Sequence, residues 1–279
     1  MRFEPPFTTI VCGIDGSRAA LEGARQAAAL AAAEASVELV AIITDPLDPD
    51  ARSGIDEATA DAALEEASHE VAVTGAYVVT RKLVSEGRFV WDKLLEAAAD
   101  ADLLVLGRHS RSRPPRIGGA KTTTNILERA QLPVLSSVAP PTGRPFPGRI
   151  LVGAAGAGHP EHAVALATAI ARRSGRDVVL VRAANPDTPL DGAVGAAVAD
   201  LREAIGAPIE VVAEGWPPHV IAEYAEREHA SLVITGSRGK NALGRLRSVS
   251  IRVAQAAPCS VLVVPTAEPD DQAARITRS

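Results

Sequence analysis

An internal repeat is the feature of this sequence that most constrains its fold. The run Ile10–Asp15 corresponds to Ile150–Ala155, 140 residues further along the chain, and Asp102–Gly107 corresponds to Ser231–Gly236 at an offset of 129. The order of apolar runs and glycine-containing turns is the same in both segments. A repeat of this length predicts two copies of one domain in tandem.

A proline-rich segment joins the two copies. Residues 139–148 contain four prolines and two glycines. Proline fixes φ and removes a backbone donor, so this composition favours an extended, non-helical linker. We therefore predict a boundary near residue 145, with one domain in residues 1–145 and a second domain, including a C-terminal tail, in residues 146–279.

Short apolar runs alternate with alanine-rich helical stretches in each copy. In the first copy the predicted strands are Thr9–Ile14, Val37–Ile43, Ala76–Val84, Leu103–Leu106 and Val134–Val138, and the predicted helices include Ala19–Ala33, Ile55–Val73 and Val90–Ala99. β-Branched runs that alternate with helices indicate parallel βαβ units, and continuous apolar runs indicate strands covered on both faces. Each copy is predicted to be an α/β domain, a five-stranded parallel doubly wound sheet with about four helices.

The last strand of each copy, Pro133–Val138 or Ser260–Pro265, is predicted to lie at a sheet edge. An unpaired edge exposes backbone groups, and pairing removes that liability. We therefore predict an intramolecular pseudo-dimer in which these two strands bring the copies together. Association of two chains into a homodimer is compatible with the same sequence.

Charge and composition exclude several classes of function. The formal net charge is −5, whereas nucleic-acid binding requires a basic footprint. Charged residues interrupt every apolar run before it reaches the ~20 residues of a membrane span. The two cysteines, Cys12 and Cys259, are far apart, which is typical of a reducing compartment. We expect a cytoplasmic protein that binds neither nucleic acid nor membrane, and the abundance of Ala, Gly and Arg indicates a bacterial source.

Ligands of doubly wound sheets bind at the carboxyl ends of the strands, where the strand order reverses. In the second copy, Gly236–Gly239 follows the strand Leu232–Thr235, and Arg247–Ser250 opens the next helix. Glycine lets the backbone approach a phosphate, a helix start offers unpaired N–H groups, and the hydroxyls of Ser248 and Ser250 add donors. This segment is predicted to cradle an anion, although a glycine pair after a strand is equally typical of a simple tight turn.

Four segments resemble the universal stress protein family. They are Val11–Ser17, Gly236–Gly239, Ser248–Ser250 and Ala257–Val264. With the repeat, the resemblance covers most of the chain, roughly residues 7–138 and 148–265. It implies a Rossmann-like, adenine nucleotide α-hydrolase-like fold and, in one branch of the family, ATP binding. In that branch the phosphates lie on a loop of the form Gly-x2-Gly-x9-Gly-Ser/Thr, and an Asp that ends the first strand contacts the nucleoside.

The second copy keeps part of that pattern. Gly236 and Gly239 are present, but Arg247 stands where the third glycine is expected, and Ala154-Ala155 stands where the first strand should end in Asp. Arg247 replaces a close backbone approach with a bidentate phosphate donor. Phosphate contacts supply much of the affinity for a nucleotide, so we expect the second copy to be the better site.

The first copy keeps Asp15, but its loop contains bulky and basic residues. The loop begins Gly107-Arg108-His109-Ser110, continues through a basic stretch, Arg108–Arg116, and ends Ala120–Thr123. Lys121 and the threonines after it, at a helix start, predict a small-anion site. The alternatives are a solvated loop for the basic stretch and, for Asp15, a turn that caps the next helix.

The candidate nucleotide-binding residues come from both copies. In the second copy they are Gly153, Ala154, Gly236, Gly239, Arg247, Ser248, Val249 and Ser250, and in the first copy they are Gly13, Asp15, Gly107, Lys121, Thr122 and Thr123. No residue is assigned as a catalytic group or as a metal ligand, because no nucleophile–base arrangement or ligand cluster is legible.

Three classes of function are consistent with the sequence. The first is a stress-response regulatory protein that binds ATP, with or without Mg²⁺, or a related adenine nucleotide, with at most slow hydrolysis. The second is a degenerate interaction module that binds no nucleotide and acts through protein partners. The third is an enzyme such as a ligase or nucleotidyl transferase, but the second catalytic segment that such enzymes need is missing. We predict the first class and keep the second as the alternative.

Overall fold

Strands and helices alternate in both copies, which confirms the predicted α/β class. The computed structural model describes residues 7–44, 54–108, 119–140, 145–153, 160–183, 192–237 and 249–265. The first copy contains β1 (Phe7–Ile14), α1 (Arg18–Leu30), β2 (Ala31–Ile43), α2 (Glu57–Ala72), β3 (Tyr77–Val84), α3 (Val90–Ala97), β4 (Leu103–Gly107), α4 (Gly119–Arg129) and β5 (Val134–Ser137). The second contains β6 (Ile150–Gly153), α5 (Pro160–Ser174), β7 (Val178–Ala183), α6 (Gly192–Ile205), β8 (Ile209–Ala213), α7 (Pro217–Arg227), β9 (Leu232–Ser237), α8 (Val249–Ala256) and β10 (Ser260–Pro265).

The ten strands form one continuous sheet in the order β3-β2-β1-β4-β5-β10-β9-β6-β7-β8. Neighbouring strands within each copy are parallel, and the order reverses beside β1 and beside β6, as expected of doubly wound sheets. β5 and β10 pair antiparallel, with Leu135 opposite Leu262. The final strands therefore join the two copies, as predicted, and lie at the centre of the sheet.

Helices cover both faces of this sheet. α1, α2, α5 and α6 pack on one face, and α3, α4, α7 and α8 pack on the other. α1 buries alanines at helical spacing, including Ala20, Ala24 and Ala27. Side chains this small let the helix lie close to the strands, so a tight core forms with few aromatic residues. Within the described ranges, no helix is long and apolar enough to cross a bilayer.

The boundary between α1 and β2 differs from the prediction. The prediction continues the first helix to Ala33 and starts the next strand at Val37, whereas β2 already begins at Ala31. Ala31 pairs with Phe7 at the start of β1. Strand pairing therefore overrides the helix propensity of this alanine run, because propensity is a weak preference that tertiary contacts outweigh.

Both cysteine thiols are buried, and we expect them to be inert in the folded protein. Burial raises the pKa of the Cys12 thiol and raises the pKa of the Cys259 thiol to about 12. A raised pKa keeps both thiols protonated at neutral pH, and the thiolate is the reactive form. A disulfide reagent such as Ellman's should modify neither cysteine in the native protein and both after unfolding in urea. Fast modification of either cysteine under native conditions would show that this burial is not maintained.

Candidate functional site

The candidate residues lie at the carboxyl ends of strands, at two opposite edges of the sheet. Strands within a copy are parallel, whereas β5 runs antiparallel to β10. The carboxyl ends of β1–β5 therefore lie at one edge, and those of β6–β10 lie at the other. Gly13, Asp15 and Gly107 come together at the first edge, whereas Gly153 and Gly236 lie at the second. The result is two separate candidate sites, one in each copy.

Asp15 forms a tight turn directly after β1. The backbone N–H of Ser17 donates to Asp15 Oδ1 at 3.0 Å, and Gly16 adopts a φ of 73°. Ser17 then caps α1, because its Oγ accepts from the backbone N–H of Ala20 at 3.1 Å. Such side-chain caps satisfy donors that the first turn of a helix leaves open. The structure has the turn and cap that the sequence offered as one alternative, and ribose contact by Asp15 stays a prediction.

Gly107 is required by the packing of α1 against the end of β4. A Cβ on Gly107 would lie 2.3 Å from the backbone C of Ala19 and 2.3 Å from the backbone N of Ala20. No side chain fits at that distance from a helix backbone without a shift of the helix. In the first copy, the glycine of the predicted phosphate loop therefore has a packing role within the fold.

Gly13 and Gly153 hold matching positions near the ends of β1 and β6. A Cβ on Gly13 would lie 3.3 Å from Leu94 Cδ1, and one on Gly153 would lie 2.7 Å from Ile221 Cδ1. Leu94 belongs to α3 and Ile221 to α7, so each glycine makes room for the same helix of its own copy. A nucleotide contact by either glycine stays a prediction beside this packing role.

Arg108, the residue after β4, reaches into the second copy. Its guanidinium donates hydrogen bonds to the backbone carbonyls of Ala254, Ala257 and Cys259, the last two at 2.7 and 2.9 Å. These carbonyls lie at the end of α8 and in its connection to β10, where the negative end of the helix dipole favours a cation. The first arginine of the basic stretch is thus engaged by acceptors of the second copy, and the rest of that stretch lies outside the described residues.

The start of α4 agrees with the predicted position of the Lys-Thr segment. α4 begins at Gly119, which places Lys121, Thr122 and Thr123 in its first turns. Thr122 and Thr123 are half-buried. The next residue, Thr124, accepts a hydrogen bond from Gln255 Nε2 of α8 at 3.4 Å, so this helix also contacts the second copy.

Three candidates of the second copy lie in or beside β9 and α8. Gly236 is half-buried near the end of β9 and pairs with Val264. Val249 opens α8, and Ser250, the next residue, is 1% exposed. The other four candidates of this copy's edge loops lie outside the described residues, namely Ala154, Gly239, Arg247 and Ser248.

Comparison with known proteins decides the family. The model of the universal stress protein family matches residues 6–136 and again residues 147–265. The chain belongs to the universal stress protein family. No curated protein matches the chain.

Solved structures of the same tandem length show the same fold. A universal stress protein from Archaeoglobus fulgidus DSM 4304 is 16% identical, with a TM-score of 0.67 over 92% of this chain and 98% of that one. A functionally unknown protein from Pseudomonas aeruginosa PAO1 is 20% identical, with a TM-score of 0.62 over 98% and 96%. A putative universal stress protein from Pseudomonas aeruginosa UCBPP-PA14 is also 20% identical, with a TM-score of 0.63 over 98% and 97%.

The two copies of this universal stress protein differ at the residue that follows the glycine of the fourth strand. Strand register makes Gly107 and Gly236 equivalent, so Arg108 corresponds to Ser237. In the first copy this residue carries a guanidinium that holds the end of α8, and in the second copy it carries a short hydroxyl. The copies therefore present different chemistry at equivalent places.

Sequence reasoning did not identify one buried polar contact between the copies. Gln26 of α1 and Ser260 of β10 bond to each other, although they lie 234 residues apart. One signal for it was present in the repeat, since the position of Gln26 is occupied by Leu166 in the second copy. A polar residue at a position that is apolar in the other copy indicates a contact that only one copy makes.

We predict that Gly107→Ala lowers the free energy of unfolding by about 2–3 kcal/mol, because the added methyl group overlaps the first turn of α1. The measurement is urea unfolding followed by circular dichroism. Gly195→Ala in α6 is the control, because an added Cβ there meets no neighbouring atom within 4 Å in the described structure. The control should be neutral or stabilising by up to ~1 kcal/mol, as Gly→Ala usually is within a helix. Equal stability of the two variants would refute the packing role of Gly107.

Proposed function

We propose that this universal stress protein is a cytoplasmic stress-response protein that binds ATP, or a related adenine nucleotide, with little or no hydrolysis. We place the binding site in the second copy, at the carboxyl ends of β6 and β9. The family of the chain and the doubly wound topology support a ligand at such an edge, because the strand order reverses there.

The contrast between Arg108 and Ser237 is the observation that carries the choice of copy. In the first copy, the Arg108 guanidinium is bound by carbonyls of the second copy, and the space beside Gly107 is filled by the backbone of α1. A phosphate at that edge would compete with contacts that hold the fold together. In the second copy, the equivalent Ser237 is neutral and short, and it offers a hydroxyl instead of a committed cation.

The residues of the second copy fit a phosphate chemically. Gly236 and Gly239 allow a close approach of backbone N–H groups, and the Arg247 guanidinium is a bidentate donor to phosphate oxygens. α8 begins at Val249, and its first N–H groups and positive dipole end also favour an anion. Because Ser250 is buried, we assign the direct hydroxyl contact to Ser248. Mg²⁺, where it accompanies the nucleotide, would be held by the phosphates themselves.

A second candidate function is supported by the contacts of the first copy. Arg108 and Thr124, which lie beside or within its predicted anion site, both bond to α8 of the second copy. On this view the first copy is the degenerate interaction module that the sequence offered as an alternative, and its partner within the chain is the second copy. We therefore propose a division of roles, with nucleotide binding in the second copy and support of that copy by the first.

The test compares one variant in each copy by calorimetric titration with ATP. Gly239→Val should abolish binding, because a branched side chain would occupy the space that a phosphate needs. Asp15→Asn should leave the affinity unchanged, because the first copy is not the site. This control keeps the oxygen that accepts from Ser17, so the turn before α1 is preserved.

Thermal unfolding of both variants should match that of the natural protein, so that a change in affinity is not a change in folding. Loss of binding in Asp15→Asn with intact binding in Gly239→Val would reverse the assignment of the copies. Absence of binding in the natural protein would favour the interaction module for the whole chain.

A further inference from the structure

The antiparallel ladder between β5 and β10 carries a buried polar contact on one side of its centre. Leu135 and Leu262 lie opposite each other at the centre. On one side, the backbone N–H of Val138 donates to Ser260 Oγ at 2.9 Å. The Ser260 hydroxyl in turn donates to Gln26 Oε1 of α1 at 2.7 Å. Gln26 and Ser260 are each 1% exposed, so these bonds are closed off from water.

All the polar atoms of the Gln26 amide are used. Its Nε2 donates to the Val138 carbonyl at 2.8 Å and to Glu22 Oε1 at 2.9 Å, while its Oε1 accepts from Ser260. A buried amide that loses such partners keeps the cost of its desolvation without the compensating bonds. Gln26 is therefore compatible with this interface only when Val138 and Ser260 are both in place. We call Gln26, Val138 and Ser260 the polar pin.

The opposite end of the ladder has no such polar residues, although the two ends are related by the repeat. Strand register relates the members in β5 and β10, and the 140-residue offset of the first strands relates the helices that follow them. The equivalents are Leu166 for Gln26, Pro265 for Val138 and Pro133 for Ser260. Two of these are prolines, which have no backbone N–H to donate. The polar pin thus exists once, between α1 of the first copy and β10 of the second.

We propose that the polar pin makes the β5 surface of the first copy selective for the β10 surface of the second copy, so that a chain pairs its own two halves rather than exchanging like halves with a second chain. The partner that this surface fits is a surface with a hydroxyl at the position of Ser260. The proposal does not depend on nucleotide binding.

The physical reason is that pairing of like halves would strand buried polar groups. Two first copies paired through β5 would place Gln26 against Pro133, which has no hydroxyl to donate to the amide. Two second copies paired through β10 would place Ser260 against Leu166, which has no polar atom. Each wrong pair therefore buries a polar group without a partner, whereas the observed pair buries none within the polar pin. Specificity of this kind comes from a penalty on the alternative rather than from extra affinity.

The selection is tested on the full chain with a protease site placed in residues 141–144 of the linker. The folded protein is cut, unfolded in urea and refolded by dilution, and the pairs are counted by native mass spectrometry. The natural sequence should return mixed pairs, with self-pairs at least about tenfold below the statistical proportion, which corresponds to 1.4 kcal/mol of discrimination. Gln26→Leu with Ser260→Ala should raise the self-pairs toward the statistical proportion. Statistical pairing by the natural sequence, or no change in the double variant, would overturn the proposal.

Ser136→Ala is the matched control for this experiment. Ser136 lies in the same ladder opposite Val261, and its buried hydroxyl has no hydrogen-bond partner among the described residues. Its removal changes one hydroxyl of the interface without touching the polar pin, so mixed pairing should persist. A rise in self-pairs equal to that of the double variant would mean that the polar pin is not what selects the partner.

A second measurement on the uncut chain covers the case in which the cut halves do not refold. Gln26→Leu and Ser260→Ala should each lower the urea midpoint of unfolding, and the double variant should fall by clearly less than the sum of the two. Such non-additivity is expected when two residues form one contact, because that contact is lost only once. Additive effects would show that the two residues do not act together and would refute the polar pin.

Discussion

The antiparallel pairing of β5 with β10 is the interaction on which the rest of this structure depends. It joins two five-stranded parallel sheets into one, and it covers two strand edges that each copy alone would expose. Because the pairing is antiparallel, it also sends the carboxyl ends of the two sets of strands to opposite edges. The two candidate sites are therefore far apart in the sheet and are connected through the interface between the copies.

That interface explains how one sequence pattern acquires two different uses. The glycine at the end of the fourth strand is present in both copies, as Gly107 and Gly236. In the first copy the residue after it, Arg108, binds the end of α8, and α8 is the helix whose start faces the proposed phosphate site of the second copy. The first copy thus supports an element on which binding by the second copy would rely. Duplication supplies the fold twice, and divergence at a few equivalent positions lets each copy take a separate role.

Much of the fold was predictable because its determinants are local or repeated. Apolar runs, alanine spacing and turn residues identified the strands and helices, and the repeat identified the two halves and their final strands. The early start of β2 at Ala31 was not predictable, because it depends on pairing with Phe7 and not on local propensity. The bonds of Arg108 to α8, about 150 residues away, have no local signature either.

The candidate site was predictable in position more than in role. Gly13, Asp15 and Gly107 do lie together at the carboxyl ends of β1 and β4, as the topology required. The packing of Leu94 on Gly13 and of α1 on Gly107 became visible only in three dimensions, because a motif glycine has the same letter whether a phosphate or a helix occupies the space beside it. Sequence patterns indicate where backbone must come close to something, and the structure shows what that neighbour is.

The account makes one central claim, that two copies with the same fold are unequal and only the second takes up the nucleotide. The number of ATP molecules bound per chain tests this claim most directly, and calorimetric titration of the full-length protein measures it. We predict a single site per chain. Two equivalent sites per chain, or one site that disappears in Asp15→Asn, would contradict the claim.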